Sequence, residues 1–288
     1  MKRREFLRTT ALGVGAAWMG TTPLAGLAID ASARFSAADA VVLGKTGIQT
    51  SRLACGTGTS GTKHHSNQTA LGIEGLGDLL WRGFDQGLRF FDTADQYGSH
   101  PHVAEALKHV PREKVTIMTK SGAREASQMR ADIDRFRKEL NTDYIDLLMM
   151  HCITEDNWTE NFRPVMDVLS EAKERGLIRA HGCSCHAIKA LREAAQSPWV
   201  DVILSRINPI GSHMDAAPDT VKATLAMGRA NGKGIIGMKI LGQRDMRNRQ
   251  DEALKFALNL GILDAMTIGA ENEGEQADLI RRIAAVNS

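Results

Sequence analysis

The chain has 288 residues, 43% of them hydrophobic and 24% charged, an ordinary globular composition and enough for one core of about 250 residues. Intrinsic disorder, a collagen-like fibre and a small disulfide scaffold are excluded. The formal net charge of +2 resides in the first 33 residues and the remainder is neutral. With 5% aromatic residues it offers no clustered basic face for nucleic acid or an anionic membrane, so a small molecule is the expected partner.

Residues 1–33 read as a signal peptide. Lys2-Arg3-Arg4 precedes an uncharged run from Thr9 to Ile29, whose glycines and Pro23 make it too weakly hydrophobic for a stable membrane anchor. Arg3-Arg4-Glu5-Phe6-Leu7-Arg8 resembles the twin-arginine export signal, with Ala31-Ser32-Ala33 or Gly26-Leu27-Ala28 as the cleavage site. The resemblance implies passage through the twin-arginine export machinery to the periplasm.

From residue 40 to 288 short β-rich runs alternate with helical patterns, which predicts a single α/β domain, a (β/α)8 TIM barrel preceded by an N-terminal β-hairpin. The hairpin pairs Ala40–Leu43 with Gln49–Ser51 across Gly44-Lys45-Thr46-Gly47. Barrel strands follow at Leu53–Cys55, Arg89–Thr93, Val115–Thr119, Tyr144–His151, Ile178–Ser184, Asp201–Ser205, Ile235–Lys239 and Ala265–Ile268. The clearest helix between them carries an apolar stripe of Ala126, Met129, Ile133, Phe136 and Leu140, and Pro164 and Gly176 bracket another. Gly56-Thr57-Gly58-Thr59-Ser60-Gly61 follows the first strand, but no apolar helix opens on it, which argues against a dinucleotide-binding open sheet.

The four cysteines, Cys55, Cys152, Cys183 and Cys185, lie at or near strand ends. Period-two spacing sends Cys183 and Cys185 to one face, where they read as small buried hydrophobes rather than a metal site, since no Cys-x-x-Cys pair occurs.

In such a barrel the chemistry belongs at the carboxyl ends of the strands. There stand Asp92 and Tyr97 after the second strand, Lys120 after the third and His151 at the end of the fourth. This set suits proton delivery to a carbonyl oxygen. A phenol is a poor acid or base at neutrality, a nearby ammonium favours its ionised form, Asp92 holds Lys120 charged, and His151 donates a hydrogen bond that positions the oxygen. Singly, Asp92 reads as a loop cap, Tyr97 as a rim aromatic and His151 as a satisfied core histidine. Jointly they read as a catalytic set.

Phe91-Asp92-Thr93-Ala94-x-x-Tyr97-Gly98 and Leu140-Asn141-Thr142-Asp143-Tyr144-Ile145-Asp146-Leu147-Leu148-x-x-His151, with Lys120 between them, resemble the catalytic segments of the aldo-keto reductase family. The resemblance covers nearly everything from residue 40 onward. It implies reversible hydride transfer between a nicotinamide cofactor and an aldehyde or ketone, with Tyr97 as general acid and no metal.

The cofactor positions depart from the family pattern. Gly182-Cys183-Ser184-Cys185-His186 resembles the stretch that holds the nicotinamide amide, with Ser184 kept and Cys185 where Asn is usual, and Leu204 stands where the next strand usually offers Gln. Met238 replaces an aromatic that stacks on the nicotinamide. Lys239, Leu241 and Gly242 follow it, and Lys239 with Arg244, Arg247 and Arg249 reads either as a pyrophosphate clamp or as a solvated basic loop. Gly269, Glu271 and Gln276 fall on the adenosine side. Family membership implies NADP, while the run Glu271, Glu273, Glu275 opposes a 2′-phosphate and favours weaker discrimination or NAD. Two other readings stand beside the reductase: a cofactor-binding sensor or accessory protein on the same barrel, and a Schiff-base lyase using Lys120 or Lys239. The polar loop Thr57–Gln68, with His64 and His65, points to a polar or bulky carbonyl substrate.

Overall fold

The computed structural model describes residues 35–286, so the signal-peptide expectation lies outside the described residues. Strands β1 (Ala40–Val42) and β2 (Gln49–Ser51) form the antiparallel hairpin. There follow β3 (Leu53–Gly56), α1 (Gly72–Asp85), β4 (Phe90–Asp92), α2 (His100–Ala106), β5 (Thr116–Ser121) and α3 (Ala126–Glu139). Next come β6 (Ile145–Ile153), α4 (Trp158–Asn161), α5 (Arg163–Glu174), β7 (Ile178–Cys185), α6 (Ile188–Gln196) and β8 (Val202–Arg206). The chain ends with α7 (Pro218–Ala230), β9 (Gly234–Met238), α8 (Gln250–Asn259), β10 (Ala265–Ile268) and α9 (Glu273–Ala285). Strands β3 to β10 close, all parallel, into a barrel in which β10 pairs with both β9 and β3. That closure rules out the open dinucleotide-binding sheet.

Alternation along each strand separates two cores. Inside the barrel pack Ala54, Phe90, Met118, Leu147, Met149, Leu204 and Ile236, with Leu43 and Ile48 of the hairpin added to the same cluster. The hairpin turn bonds to the start of β9, Lys45 N to the Gly232 carbonyl at 3.0 Å, so it closes the barrel floor. Residues one step out of phase, such as Phe91, Ile117, Leu148, Met150 and Cys183, face the helices. The predicted stripe of α3 packs there: Met129, Ile133 and Phe136 are buried, and Leu140 caps the helix. Pro164 sits in the first turn of α5 and Gly176 takes φ +71° just past its end, as the sequence predicts.

Period two then decides what reaches the mouth. The inward set of β4 runs Phe90, Asp92, that of β5 ends in Lys120, and that of β6 runs Leu147, Met149, His151. β5 extends to Ser121 and β6 to Ile153, so Lys120 and His151 lie within strands rather than beyond them. Strand backbone on both sides fixes these two side chains more firmly than a loop would.

Candidate active site

Four predicted residues converge at the carboxyl end of the barrel. Lys120, 1% exposed, donates to Asp92 Oδ1 and to the Thr93 carbonyl at 2.8 Å. Asp92 Oδ2 accepts from Thr267 Oγ1 at 2.6 Å. A buried ion pair is tolerable only when its remaining donors and acceptors are filled, and here both ends are. Thr267 on β10 reaches Asp92 on β4 across β3, where Gly56 lies between them. A Cβ at Gly56 would stand 2.9 Å from Thr267 Oγ1, so the missing side chain keeps this path open.

Tyr97 ends the single 3-10 turn Asp95–Tyr97 that follows β4, and it is half-buried. Lys120 Nζ lies 4.8 Å from its ring centroid, and the His151 ring meets it edge-on, centroids 5.8 Å apart at 84°. Burial pushes the Tyr97 pKa up, and the Lys120 charge opposes that without reversing it. Lys120 favours the phenolate, as expected, but desolvation outweighs the cation and the phenol keeps its proton. For Lys120 burial acts downward, but the charges of Asp92 and Tyr97 and its hydrogen bonds to them raise its pKa overall. His151 is driven down to about 2 by burial, then by the charges of Lys120, His186 and Arg124. It is neutral at any ordinary pH and offers one ring N–H and one lone pair. Arg124 anchors its backbone, donating to the His151 carbonyl at 2.8 Å.

Beyond His151 the β6–β7 register shifts, Cys152 takes φ +56°, and its N–H donates to Ser184 Oγ at 2.9 Å. Ser184 thus lies in the inward phase at the end of β7, and its hydroxyl donates to no acceptor among the described residues. Met238 closes the inner layer at the end of β9, and Lys239 leaves the strand at φ +57°. Among the described residues Lys239 has no carboxylate within ion-pair distance. Burial, followed by the charge of Arg206, pulls its pKa down. Leu241 packs on the helix-side core, and Gly242 turns the chain at φ +54°. Arg244 and Arg247 are exposed, and Arg249 pairs with Glu252 at the start of α8.

Three cofactor assignments need revision on geometry. The alternation that points Ser184 inward sends Cys185 outward, where its sulfur is buried 3.7 Å from that of Cys183. It does not stand in for an amide at the mouth. Gln276 lies on the buried face of α9, donating to the Leu79 carbonyl at 3.3 Å, so its amide points into the helix-side packing rather than outward to a ligand. The three acids at the entry to α9 are all internally engaged: Glu273 pairs with Arg82 at 2.7 Å, and the Glu275 carboxylate accepts from Glu271 N at 2.9 Å. Glu271 itself accepts from Asn67 Nδ2 at 2.6 Å, and Gly269 lies against Gln68 and Thr59.

Sequence reasoning missed Thr267, Arg124 and the ion pair of Arg206 with Asp215 at the end of β8. Inward phase alone marks Thr267 and Arg206, but the partner of Thr267 lies on another strand, β4, and that of Arg206 in the loop that follows β8. A further cluster, Asp95, His100 and Glu139, brings three potential metal ligands within 4.8 Å of one another. Arg135 bonds Asp95 at 2.7 Å and Glu139 at 3.1 Å, so a guanidinium already fills the place of a cation.

Comparison with known proteins points the same way. A family model described as the aldo/keto reductase family matches residues 52–259. Among curated relatives, the aldo-keto reductase YhdN of Bacillus subtilis is 31% identical over 164 residues, covering 51% of this chain and 46% of that protein. The NADH-specific methylglyoxal reductase of Escherichia coli is 27% identical over 198 residues, covering 61% and 60%. The chain thus spans roughly half to three-fifths of the length of these two relatives. An aldo-keto reductase of Bacillus halodurans, solved in its holo form, superposes with a TM-score of 0.70 at 15% identity, covering 87% of this chain and 92% of that one. At that identity the likeness concerns the fold.

Proposed function

The chain belongs to the aldo/keto reductase family, and on that premise we propose that it reduces an aldehyde or ketone to the alcohol with NAD(P)H, Tyr97 serving as proton donor. One observation carries this reading: the phenol of Tyr97 lies against a fully bonded Lys120–Asp92 pair and edge-on to a neutral His151.

A nicotinamide cofactor, when bound, supplies the hydride. The donor set fits it in part: among the described residues Ser184 has a hydroxyl proton not otherwise engaged, to offer the carboxamide, and Lys239 a cation without an acidic partner, to offer the pyrophosphate. The amide side chains usual in the family are absent, since Cys185 faces the helices and Leu204 is apolar. The remaining steps belong to this chain. His151, neutral, donates its ring N–H to the carbonyl oxygen and holds it beside the phenol. Negative charge developing on that oxygen is met by the Tyr97 proton, and the Lys120 ammonium stabilises the phenolate left behind. Asp92 keeps that ammonium in place through both transitions.

The Lys120–Asp92 pair speaks against a lyase acting through Lys120, because amine attack needs a neutral nitrogen. The sensor reading draws support from Leu204 and Cys185, which leave the nicotinamide with fewer polar contacts than usual. Acid at Glu271 favours NADH or weak discrimination, although NADPH remains the family's expectation. Residues 1–33 support export to the periplasm by the twin-arginine route. The test is direct: oxidation of NADPH and NADH in the presence of methylglyoxal, the compound named for the E. coli relative, and of an aromatic aldehyde. Carbonyl-dependent oxidation supports the reductase. Tight cofactor binding with neither carbonyl reduced, even in a single turnover, supports the sensor.

A further inference from the structure

The loop between β3 and α1 is built against Tyr97. A Cβ on Gly58 would stand 2.2 Å from Cε2 and 2.4 Å from Cζ of the Tyr97 ring, and one on Gly61 would stand 2.4 Å from Cδ1 on the ring's other edge. No side chain fits at either position without moving the ring. The two glycines close one turn, Gly61 N donating to the Gly58 carbonyl at 3.0 Å.

That turn is braced from within. Gln68, fully buried, accepts from Thr59 N and donates to Thr59 Oγ1, each at 2.9 Å. At one end Thr57 donates to the Asp92 carbonyl through both its N–H, at 3.0 Å, and its hydroxyl, at 2.8 Å. At the other, His64 N donates to the carbonyl of Gln96, the neighbour of Tyr97, at 2.9 Å. The loop is therefore pinned both to the strand end that carries Asp92 and to the short turn that carries the phenol.

We propose that the Gly58–Gly61 turn, braced by Gln68, is the positioning element of Tyr97, and that backbone contact with the two ring edges holds the phenol where proton transfer requires it. The proposal rests on the reading of Tyr97 as proton donor. The short turn Asp95–Tyr97 cannot fix a half-buried ring by itself, and a misplacement of about 1 Å costs roughly a hundredfold in rate. A glycine sequence that resembles a phosphate-binding loop thus acquires a different use.

The chain has two tyrosines, and Tyr144 stacks on Arg112 near the start of β6, so Tyr144→Phe leaves Tyr97 as the only phenol. In that background Gly58→Ala adds bulk against the ring, while Gln68→Leu removes the brace and adds none. Gly75→Ala, on α1, is the control, since its Cβ would meet only Leu71 at 3.4 Å. Three quantities are read: the Tyr97 titration by nuclear magnetic resonance of ring-labelled tyrosine, kcat for methylglyoxal, and the dissociation constant of NADPH. Both test variants should shift the titration toward that of a free phenol and lower kcat by about a hundredfold, with cofactor affinity changed less than about twofold. Should Gly58→Ala fail to fold, Gln68→Leu carries the test. An unchanged Tyr97 titration in the folded variants overturns the proposal whatever the activity. A shifted titration with unchanged kcat leaves the clamp standing and overturns instead the role of Tyr97.

Discussion

Lys120 cannot be removed without disturbing the fold as well as the chemistry. Deleting one partner of a buried ion pair leaves an uncompensated charge and costs about 3–5 kcal/mol. Lys120→Met should therefore lower the stability measured in urea as well as abolish reduction. Adding Asp92→Asn should recover most of the stability and none of the activity, a separation that a purely structural pair would not show. The titrations give a second expectation. A proton-donating phenol must be protonated, so reduction is supported below the Tyr97 pKa and lost as pH rises through it. That pKa is held above the usual 10.0 by burial, whereas His151 stays neutral down to about 2. The profile of kcat against pH should be flat through neutrality with one alkaline limb. An acid limb near pH 6 would show that His151 titrates and that its burial is not as described.

At the scale of elements, the proposed cofactor preference rests on the loop leading into α9. Asn67 holds the Glu271 carboxylate, so a 2′-phosphate placed at that loop would meet a fixed negative charge, and an engaged Glu275 leaves fewer free amides at the helix start. Glu271→Gln should tighten NADPH and leave NADH nearly unchanged, read by fluorescence titration at fixed salt. NADPH bound a hundredfold tighter than NADH by the unaltered protein, and insensitive to this change, would mean that the carboxylate points away from the ribose. The same element shows what the sequence makes legible. Alternation along β4, β5 and β6 delivers Asp92, Lys120 and His151 to the mouth, because each ends an apolar inward series that can be read from the chain itself. Alternation also turns Cys185 away from Ser184, a consequence that a linear motif match overlooks. Gln276 is displaced by helix packing against Leu79, and Thr267 meets Asp92 only because the barrel closes β10 onto β3. Those two depend on which elements become neighbours, and nothing within either segment specifies that.

At the scale of the molecule, burial depresses histidines below the ordinary 6.5: His151 to about 2, buried His181 and half-buried His186 each to about 4, and His102 in the same direction. The unfolded chain binds their protons first, so stability is full above about pH 6.5 and falls as pH drops from there toward 4 and below. Unfolding in urea at pH 7 and pH 5 should show this loss, and His186→Gln should reduce it. For residues 1–33, Arg3→Lys with Arg4→Lys should hold the protein in the cytoplasm with its leader attached, whereas unchanged fractionation would refute the twin-arginine route. The catalytic reading itself stands or falls on a single-turnover comparison. Protein loaded with reduced nicotinamide cofactor is mixed with methylglyoxal, and the decay of cofactor fluorescence is followed in the unaltered chain and in Tyr97→Phe. The variant should bind the cofactor equally well and oxidise it about a hundredfold to ten-thousandfold more slowly; equal rates in the two proteins would contradict the assignment of Tyr97 as proton donor.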